Sequence, residues 1–243
     1  MIQKKEMQIT SGMLTDKGDR KLNEDYADYI QNSGVQYFIL CDGLGGHGNG
    51  DVASKFVVRQ MKEELEYMPM ERAIQNTQDA LLEKQRRENA ENSMKTTLTC
   101  LEIKDRMARF AHVGDSRIYQ FAHGKYIKRT LDHSVSQMLV NNGTIKESEI
   151  RFHEDRSRLL RVMGAEWTTP QYQISEAFRI RKKMAFLLCS DGFWELIDEK
   201  MMEKTLKKAE APLKWLEAMQ EIIIANGRGG NMDNYTAIAV FVC

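Results

Sequence analysis

Acidic residues recur beside glycine or asparagine at points where apolar runs of the sequence begin or end. Asp42 closes one such run and is followed by Gly43-Leu44-Gly45-Gly46. Three further segments share this arrangement: Gly114-Asp115-Ser116-Arg117, Ser190-Asp191-Gly192 and Asp233-Asn234. Each segment alone is typical of a turn or a helix cap. Together, aspartates at strand ends can converge at one edge of a sheet, where divalent cations would have to neutralise their mutual repulsion.

A fifth segment, near the N-terminus, combines an acidic pair with a cation. Arg20 is followed by Asn23-Glu24-Asp25. An EF-hand loop that began at Asp16 would need an oxygen-bearing side chain at its third position, and Gly18 occupies that position. The segment is therefore a candidate part of the acidic cluster and not an EF-hand.

The glycines after Asp42 also match the G-x-G-x-x-G pattern of dinucleotide-binding loops. Such a loop needs a helix that leads back into a parallel strand and an acidic residue about 20 positions further on. Here that distance falls on Glu63-Glu64, inside a helical pattern. No Gly-Lys-Ser/Thr follows, which excludes a Walker loop. We interpret the glycines instead as residues that let the backbone pass close to the Asp42 site, where a carbonyl can serve as a ligand.

The elements between these motifs predict an α+β fold. Apolar spacing predicts helices over 51–68, 70–89, 199–208 and 212–226, and strands over 37–41, 97–103, 107–113, 117–121, 125–128, 184–189 and 236–242. Short turns between the middle strands favour antiparallel pairing. This order suits a layered sandwich better than a doubly wound parallel sheet.

Composition predicts one cytoplasmic domain over residues 1–243. Basic and acidic residues both number 35, so the formal net charge is zero and no global field favours nucleic acid or an anionic membrane as a partner. The four cysteines are isolated, and Cys41 and Cys189 end apolar runs, which favours buried thiols in a reducing compartment. No segment reads as a signal peptide or approaches the ~20 apolar residues of a membrane span.

Read in order, the motifs resemble a known family. They are Arg20-x-x-Asn23-Glu24-Asp25, Asp42-Gly43-x-Gly45-Gly46, Thr96-Thr97, Gly114-Asp115-Ser116-Arg117, Asp132-His133-Ser134, Ser190-Asp191-Gly192 and Asp233-Asn234. This series resembles the metal-dependent serine/threonine protein phosphatases of type 2C, and the resemblance runs from about Gly12 to Val242. Seven motifs in the right order and with roughly the right spacing are a far more specific signal than any one of them.

The resemblance implies a four-layer α-β-β-α sandwich in which helix pairs flank two central antiparallel sheets. It also implies two Mn²⁺ or Mg²⁺ ions at one end of the sandwich. By the resemblance, Asp42 bridges both ions, the Gly43 carbonyl binds one of them, and Asp191 and Asp233 bind the other. Glu24 and Asp25 are implied as ligands or as acceptors for metal-bound water on the Gly43 side. Asp115 with Asp191 is implied to hold a third and weaker ion, and Arg20 to bind phosphate. Oxygen ligands suit these hard cations, and the scarcity of cysteine and histidine argues against zinc.

The implied activity is hydrolysis of phosphoserine and phosphothreonine in proteins by a water that bridges the two ions. The implied partners are phosphorylated protein substrates, including a cognate kinase, and the protein is expected to be a bacterial monomer. A pseudophosphatase that binds phosphorylated partners without turnover and a phosphatase of small phosphoesters are the alternatives.

The sequence departs from the family pattern at the presumed general acid. Leu44 stands where some members, especially eukaryotic ones, have histidine, and we interpret nearby His47 as a loop residue. His112 and His133 are expected to form structural hydrogen bonds. The family's variable flap corresponds to about 134–170, and four arginines there, Arg151, Arg156, Arg158 and Arg161, form either a solvated charged face or a basic surface for a phosphopeptide.

Overall fold

The computed structural model describes residues 7–32, 34–45 and 48–243. The strands are β1 Ile9–Asp16, β2 Asp25–Asn32, β3 Val35–Asp42, β4 Leu98–Lys104, β5 Met107–Val113, β6 Arg117–Ala122, β7 Lys125–Arg129, β8 Gln173–Ile174, β9 Phe178–Arg179, β10 Met184–Cys189 and β11 Tyr235–Val242. The helices are α1 Gly50–Glu64, α2 Met70–Glu88, α3 Val135–Asn141, α4 Asp191–Trp194, α5 Glu199–Leu206 and α6 Pro212–Gly227, with a 3₁₀ helix at Glu147–Phe152.

The strands form two antiparallel sheets. One has the order β1-β11-β10-β6-β7, and the other has the order β2-β3-β4-β5-β8 with β9 also paired to β5. The predicted antiparallel meander is confirmed as β4 to β7, but its members divide between the two sheets. Strands β1 and β2 were missed by the sequence reading. Their sequences, ITSGMLTD and DYADYIQN, are largely polar or small and lack a clear apolar run.

Three apolar clusters hold the layers together, and the predicted α-β-β-α sandwich is confirmed. Between the sheets, buried side chains from both, such as Phe38, Leu101 and Phe186, face one another. On the outer face of one sheet lie α1 and α2, and on the outer face of the other lie α5 and α6. Helix α1 packs on its sheet through one apolar face, in which Ala53, Val57 and Met61 recur at helical spacing and are fully buried.

The antiparallel order sorts the strand ends into two sets. The ends of β1, β3, β5 and β10 and the starts of β2, β4, β6 and β11 lie at one end of the sandwich. Every acidic motif of the sequence lies at this end. Among the described residues no helix is long and apolar enough to cross a membrane.

Candidate active site

The acidic motifs surround one cavity of about 610 Å³ at this end of the sandwich. Asp25 and Asp42 are direct cross-strand partners on β2 and β3, and Asp191 begins α4 at the end of β10. The cavity is lined by Arg20, Lys21, Leu22, Glu24, Asp42, Gly43, Leu44, Gly45, Thr97, Asp115, Ser157, Leu159, Asp191, Asp233 and Asn234. The structure thus brings together all of the sequence-predicted site residues, with Asp25 buried directly behind the lining.

Backbone and threonine contacts fix Asp42 where β3 ends. Its amide donates to Thr97 Oγ1 at 2.9 Å, and its carbonyl accepts from the Thr97 amide and the Thr96 hydroxyl, each at 2.8 Å. Burial, followed by the charges of Asp25, Asp191 and Asp115, raises the pKa of the Asp42 carboxyl well above its usual range. Asp191 is therefore one of the neighbouring carboxyls whose charge disfavours ionisation of Asp42.

Asp25 is a buried carboxylate of the group that is only partly hydrogen-bonded. Its Oδ2 accepts from Ser190 Oγ at 2.7 Å, while its Oδ1 is buried without a partner among the described residues. Burial is the main cause that raises the pKa of Asp25 to about 7, and the charges of Asp191 and Asp233 add to it. A buried oxygen without a donor is costly unless something else binds it.

Three further carboxyls of the cluster also have raised pKa values. Burial and then Asp191 raise the pKa of Asp115, burial and then Asp233 raise that of Asp191, and burial and then Asp51 raise that of Glu24. These carboxyls face one another across the cavity without enough cations to neutralise them.

Glycine is required at Gly43 by the close approach of two backbone segments. A Cβ at this position would overlap the carbonyls of Gly50 and Glu24. The Gly43 amide donates to the Glu24 carbonyl at 3.1 Å, which ties the β3–α1 loop to the acidic pair on the N-terminal segment. Gly43 therefore lines the cavity next to Asp42.

Arg20 contacts the cluster through a two-pronged ion pair. Its Nε donates to Asp233 Oδ1 at 3.0 Å and its Nη2 donates to Asp233 Oδ2 at 2.9 Å. Both side chains are about half exposed, at 45% and 47%. The sequence predicted that Arg20 binds phosphate and that Asp233 binds a metal ion. In the structure the two side chains instead bind each other.

Two supporting residues escaped the sequence reading. The Asn234 side chain accepts from the Glu24 amide at 2.8 Å and donates to the carbonyls of Lys17 and Leu22, so it clamps the N-terminal segment to β11. Glu195 lies one helical turn after Asp191, and burial raises its pKa to about 7 despite an ion pair with Arg156 at 3.0 Å. The motif Asp-Asn signalled the first residue, and only the i, i+4 spacing to Asp191 could have signalled the second.

A buried arginine lies behind Asp115. Arg117 donates to both Asp132 oxygens, at 2.8 and 2.6 Å, and its guanidinium stacks 3.3 Å from the centre of the Trp194 ring. Trp194 in turn donates to the Asp115 carbonyl at 3.0 Å. This network joins the motifs Gly114-Asp115-Ser116-Arg117 and Asp132-His133-Ser134 to helix α4.

His112 and His133 form hydrogen bonds within the fold, as predicted from the sequence. His112 Nε2 contacts the Leu131 carbonyl at 2.8 Å and its ring stacks on His133 with centres 4.5 Å apart. Burial lowers the pKa of both, that of His133 to about 3. His47 lies outside the described residues. Leu44 lines the cavity, and no histidine does so in the described part of the chain.

The flap is less basic than its sequence indicates. Arg151 pairs with Glu199 at 2.9 Å and also donates to the carbonyls of Trp194 and Ile197. Arg156 and Arg158 also pair with carboxylates, and only Arg161 of the four has no ion pair among the described residues. The flap contributes Ser157 and Leu159 to the cavity wall.

The donor set fits hard divalent cations. It consists of carboxylates and one carbonyl, it has an orphaned oxygen on Asp25, and its carboxyls raise one another's pKa, a repulsion that cations would relieve. Within the described residues no three His, Cys, Asp or Glu side chains yet converge on a single ion position. Ions at this site would therefore complete their shells with water, as Mg²⁺ commonly does.

Comparison with known proteins agrees with the fold and the motifs. The family model described as protein phosphatase 2C matches residues 17–227. The serine/threonine phosphatase Stp of Listeria monocytogenes is 31% identical over 242 residues, which is 93% of this chain and 93% of the relative. The crystal structure of serine/threonine phosphatase Stp1 from Staphylococcus aureus has a TM-score of 0.86 at 27% identity and covers 97% of this chain and 96% of its own.

A third relative, the serine/threonine protein phosphatase PstP of Mycobacterium tuberculosis, is 28% identical over 94% of this chain. The chain spans only 44% of the length of that relative. The PstP catalytic domain, solved in complex with two manganese ions, superposes with a TM-score of 0.80 at 23% identity over 98% of this chain and 99% of its own, and here shows the fold alone. From the match of the family model over most of its length, the chain belongs to the protein phosphatase 2C family.

Proposed function

We propose that the protein is a metal-dependent phosphatase of phosphoserine and phosphothreonine in proteins, formed by one catalytic domain over residues 1–243. The observation that carries this proposal is the convergence of mutually repelling carboxyls and one arginine on a single open cavity. A cavity of this kind is suited to a phosphate monoester, because cations held by the carboxyls and the guanidinium together can neutralise the phosphoryl oxygens.

The proposed ligands of two Mn²⁺ or Mg²⁺ ions are Asp42, the Gly43 carbonyl, Asp191 and Asp233. Glu24 and Asp25 are proposed as further ligands or as acceptors for bound water, and Asp115 with Asp191 as the holder of a weaker third ion. When bound, the ions supply an activated water and charge neutralisation. Asp25 is suited to its role because Ser190 holds one carboxylate oxygen and leaves the other free.

Arg20 is proposed to bind and orient the phosphate. Its fork now holds Asp233, so the guanidinium and the cations compete for that carboxylate. Cation binding at Asp233 would release the fork, which matches two phosphoryl oxygens as well as it matches two carboxylate oxygens. Leu44 has no proton to donate to the leaving group, so the donor in this chain is a group other than the residue at the family's histidine position.

Hydrolysis of a phosphothreonine peptide in the presence of Mn²⁺ tests the proposal. We expect Asp42→Asn and Asp191→Asn each to lower kcat/KM by at least about 100-fold. Asp79→Asn is the matched control, because Asp79 is an exposed carboxylate of α2 whose hydrogen bond is to Gln75 on the same helix. Full activity of the Asp42 and Asp191 variants would refute the metal site.

The same protein separates the alternatives. A pseudophosphatase would bind a phosphopeptide and show no turnover with Mn²⁺ present, and a phosphatase of small phosphoesters would have a higher kcat/KM for metabolites than for phosphopeptides. Bacterial cytoplasm as the location, a monomeric state and a cognate serine/threonine kinase among the substrates are parts of the proposal that fractionation, light scattering and kinase dephosphorylation would test.

A further inference from the structure

The end of the sandwich opposite the candidate active site carries a compact group of cations. Arg106 lies in the turn between β4 and β5, and Arg179, Arg181 and Lys182 lie where β9 leads into β10. These four residues, which we call the basic end, line a cavity of about 350 Å³ together with Met7 and Ile180. Strand β4, with 7 residues, separates the two ends by about 20 Å at ~3.3 Å per residue.

Backbone hydrogen bonds hold the two segments of the basic end against each other. The Ile180 amide donates to the Arg106 carbonyl at 2.9 Å, and Met107 of β5 pairs with Arg179 of β9. The Met184 amide donates to the Arg181 carbonyl at 3.2 Å, which fixes the start of β10. The arginines are therefore presented from a formed backbone, and ordering costs on binding are confined to their side chains.

The four cations of the basic end are not paired with carboxylates in the part of the chain that the structure describes. Among the described residues none of the four forms an ion pair or a side-chain hydrogen bond, and all four are exposed. Several other arginines of the chain are engaged by carboxylates, as Arg109 is by Glu102 and Glu71. Since the whole chain has a formal net charge of zero, the basic end is a local excess of positive charge.

The form of the basic end selects among anionic partners. Three guanidinium forks around one small concavity match carboxylate groups, which bind arginine in a bidentate manner. Duplex nucleic acid would require cations spread along a stripe. A membrane surface would require apolar side chains that insert, and Ile180 is only 2% exposed. We propose that the basic end is a docking site for an Asp/Glu-rich segment of a protein partner. This binding does not depend on the proposed catalytic function.

Fluorescence anisotropy with a short labelled Glu-rich peptide, in EDTA, tests the docking site. We expect saturable binding that weakens steeply between low and physiological ionic strength. The double variant Arg179→Gln/Arg181→Gln is expected to raise Kd by about tenfold or more, because each lost fork removes a charge-assisted hydrogen bond. The control Arg72→Gln/Arg87→Gln removes two exposed arginines of α2 and is expected to leave Kd unchanged.

A second variant keeps the test decisive if the double variant does not fold. Arg106 has a positive φ of 64°, a conformation that asparagine tolerates well, so Arg106→Asn removes one fork with little backbone strain. Thermal unfolding verifies that each variant is folded. Equal affinities of wild type and basic-end variants, equal weakening by the α2 control, or tighter binding to phosphatidylserine vesicles or duplex DNA than to the peptide would each overturn the proposal.

Discussion

The two ends of the sandwich concentrate opposite charges under opposite conditions. At one end, six carboxyls crowd a cavity, and Asp25 and Asp115 are only 5% and 4% exposed. At the other end, the cations of the basic end lie in water. Like charges in water are screened and inexpensive, whereas buried carboxyls give up their charge or require a cation. A buried cluster is thus the stronger indication of a ligand, and its effect on folding should be larger.

The largest effect on folding is expected where a buried charge loses its partner. Arg117→Met leaves Asp132 buried without its main counter-charge and should lower the free energy of unfolding by about 3–5 kcal/mol. The matched control is Lys125→Met, which removes an ion pair with Glu203 that is exposed to solvent and should therefore change the free energy of unfolding far less. Urea unfolding measures both. Equal losses in the two variants would remove burial as the basis of the comparison.

The second largest effect is expected when cations bind the carboxyls of the candidate active site and raise the free energy of unfolding. At about 100 times its Kd, Mn²⁺ should raise the free energy of unfolding of the wild type by about 2.7 kcal/mol. Asp42→Asn should lose most of this gain, and its metal-free form should be at least as stable as metal-free wild type because one repelling carboxylate is gone. Urea unfolding with and without Mn²⁺ measures this difference. If Mn²⁺ stabilised Asp42→Asn as much as the wild type, the proposed metal site would be contradicted.

A buried imidazolium is disfavoured for the same reason as a crowded carboxylate. Burial lowers the pKa of folded His133 to about 3, whereas a histidine in the unfolded chain titrates near 6.5. The unfolded chain therefore takes up a proton first as the pH falls. Stability from this group is complete above about pH 6.5 and should be about 1.4 kcal/mol lower at pH 5.5. His133→Asn, which can still accept from the Gly114 amide, should lose that part of the pH dependence in urea unfolding; an unchanged slope would refute the assignment.

The smallest effect is expected at the basic end. Arg179→Gln/Arg181→Gln should change the free energy of unfolding by no more than about 0.5 kcal/mol, because both side chains are exposed and unpaired within the described residues. A gain in stability would indicate repulsion that the solvent does not screen. A loss comparable to that of Arg117→Met would show that the cations are structural and not available to a partner.

The sequence was informative where chemistry is local and silent where it depends on distant contacts. The acidic motifs and the longer helices were predictable because each depends on residues that are close together in the sequence. Strand β1 was not, since its polar sequence becomes a strand only by pairing with β11. The pairing of Arg20 with Asp233, the Asn234 clamp and the stacking of Arg117 on Trp194 were likewise hidden, because each joins residues far apart in the chain.

The contact between Arg20 and Asp233 has a consequence for biosynthesis. The two residues are 213 positions apart, and a ribosome that adds about 5–20 residues per second needs roughly 10–40 s to make the second after the first. Strand β11, which follows Asn234 directly, lies between β1 and β10 and completes their sheet. A chain that stops short of β11 lacks both Asp233 and Asn234, so the cavity of the candidate active site is complete only in molecules whose translation has reached this strand.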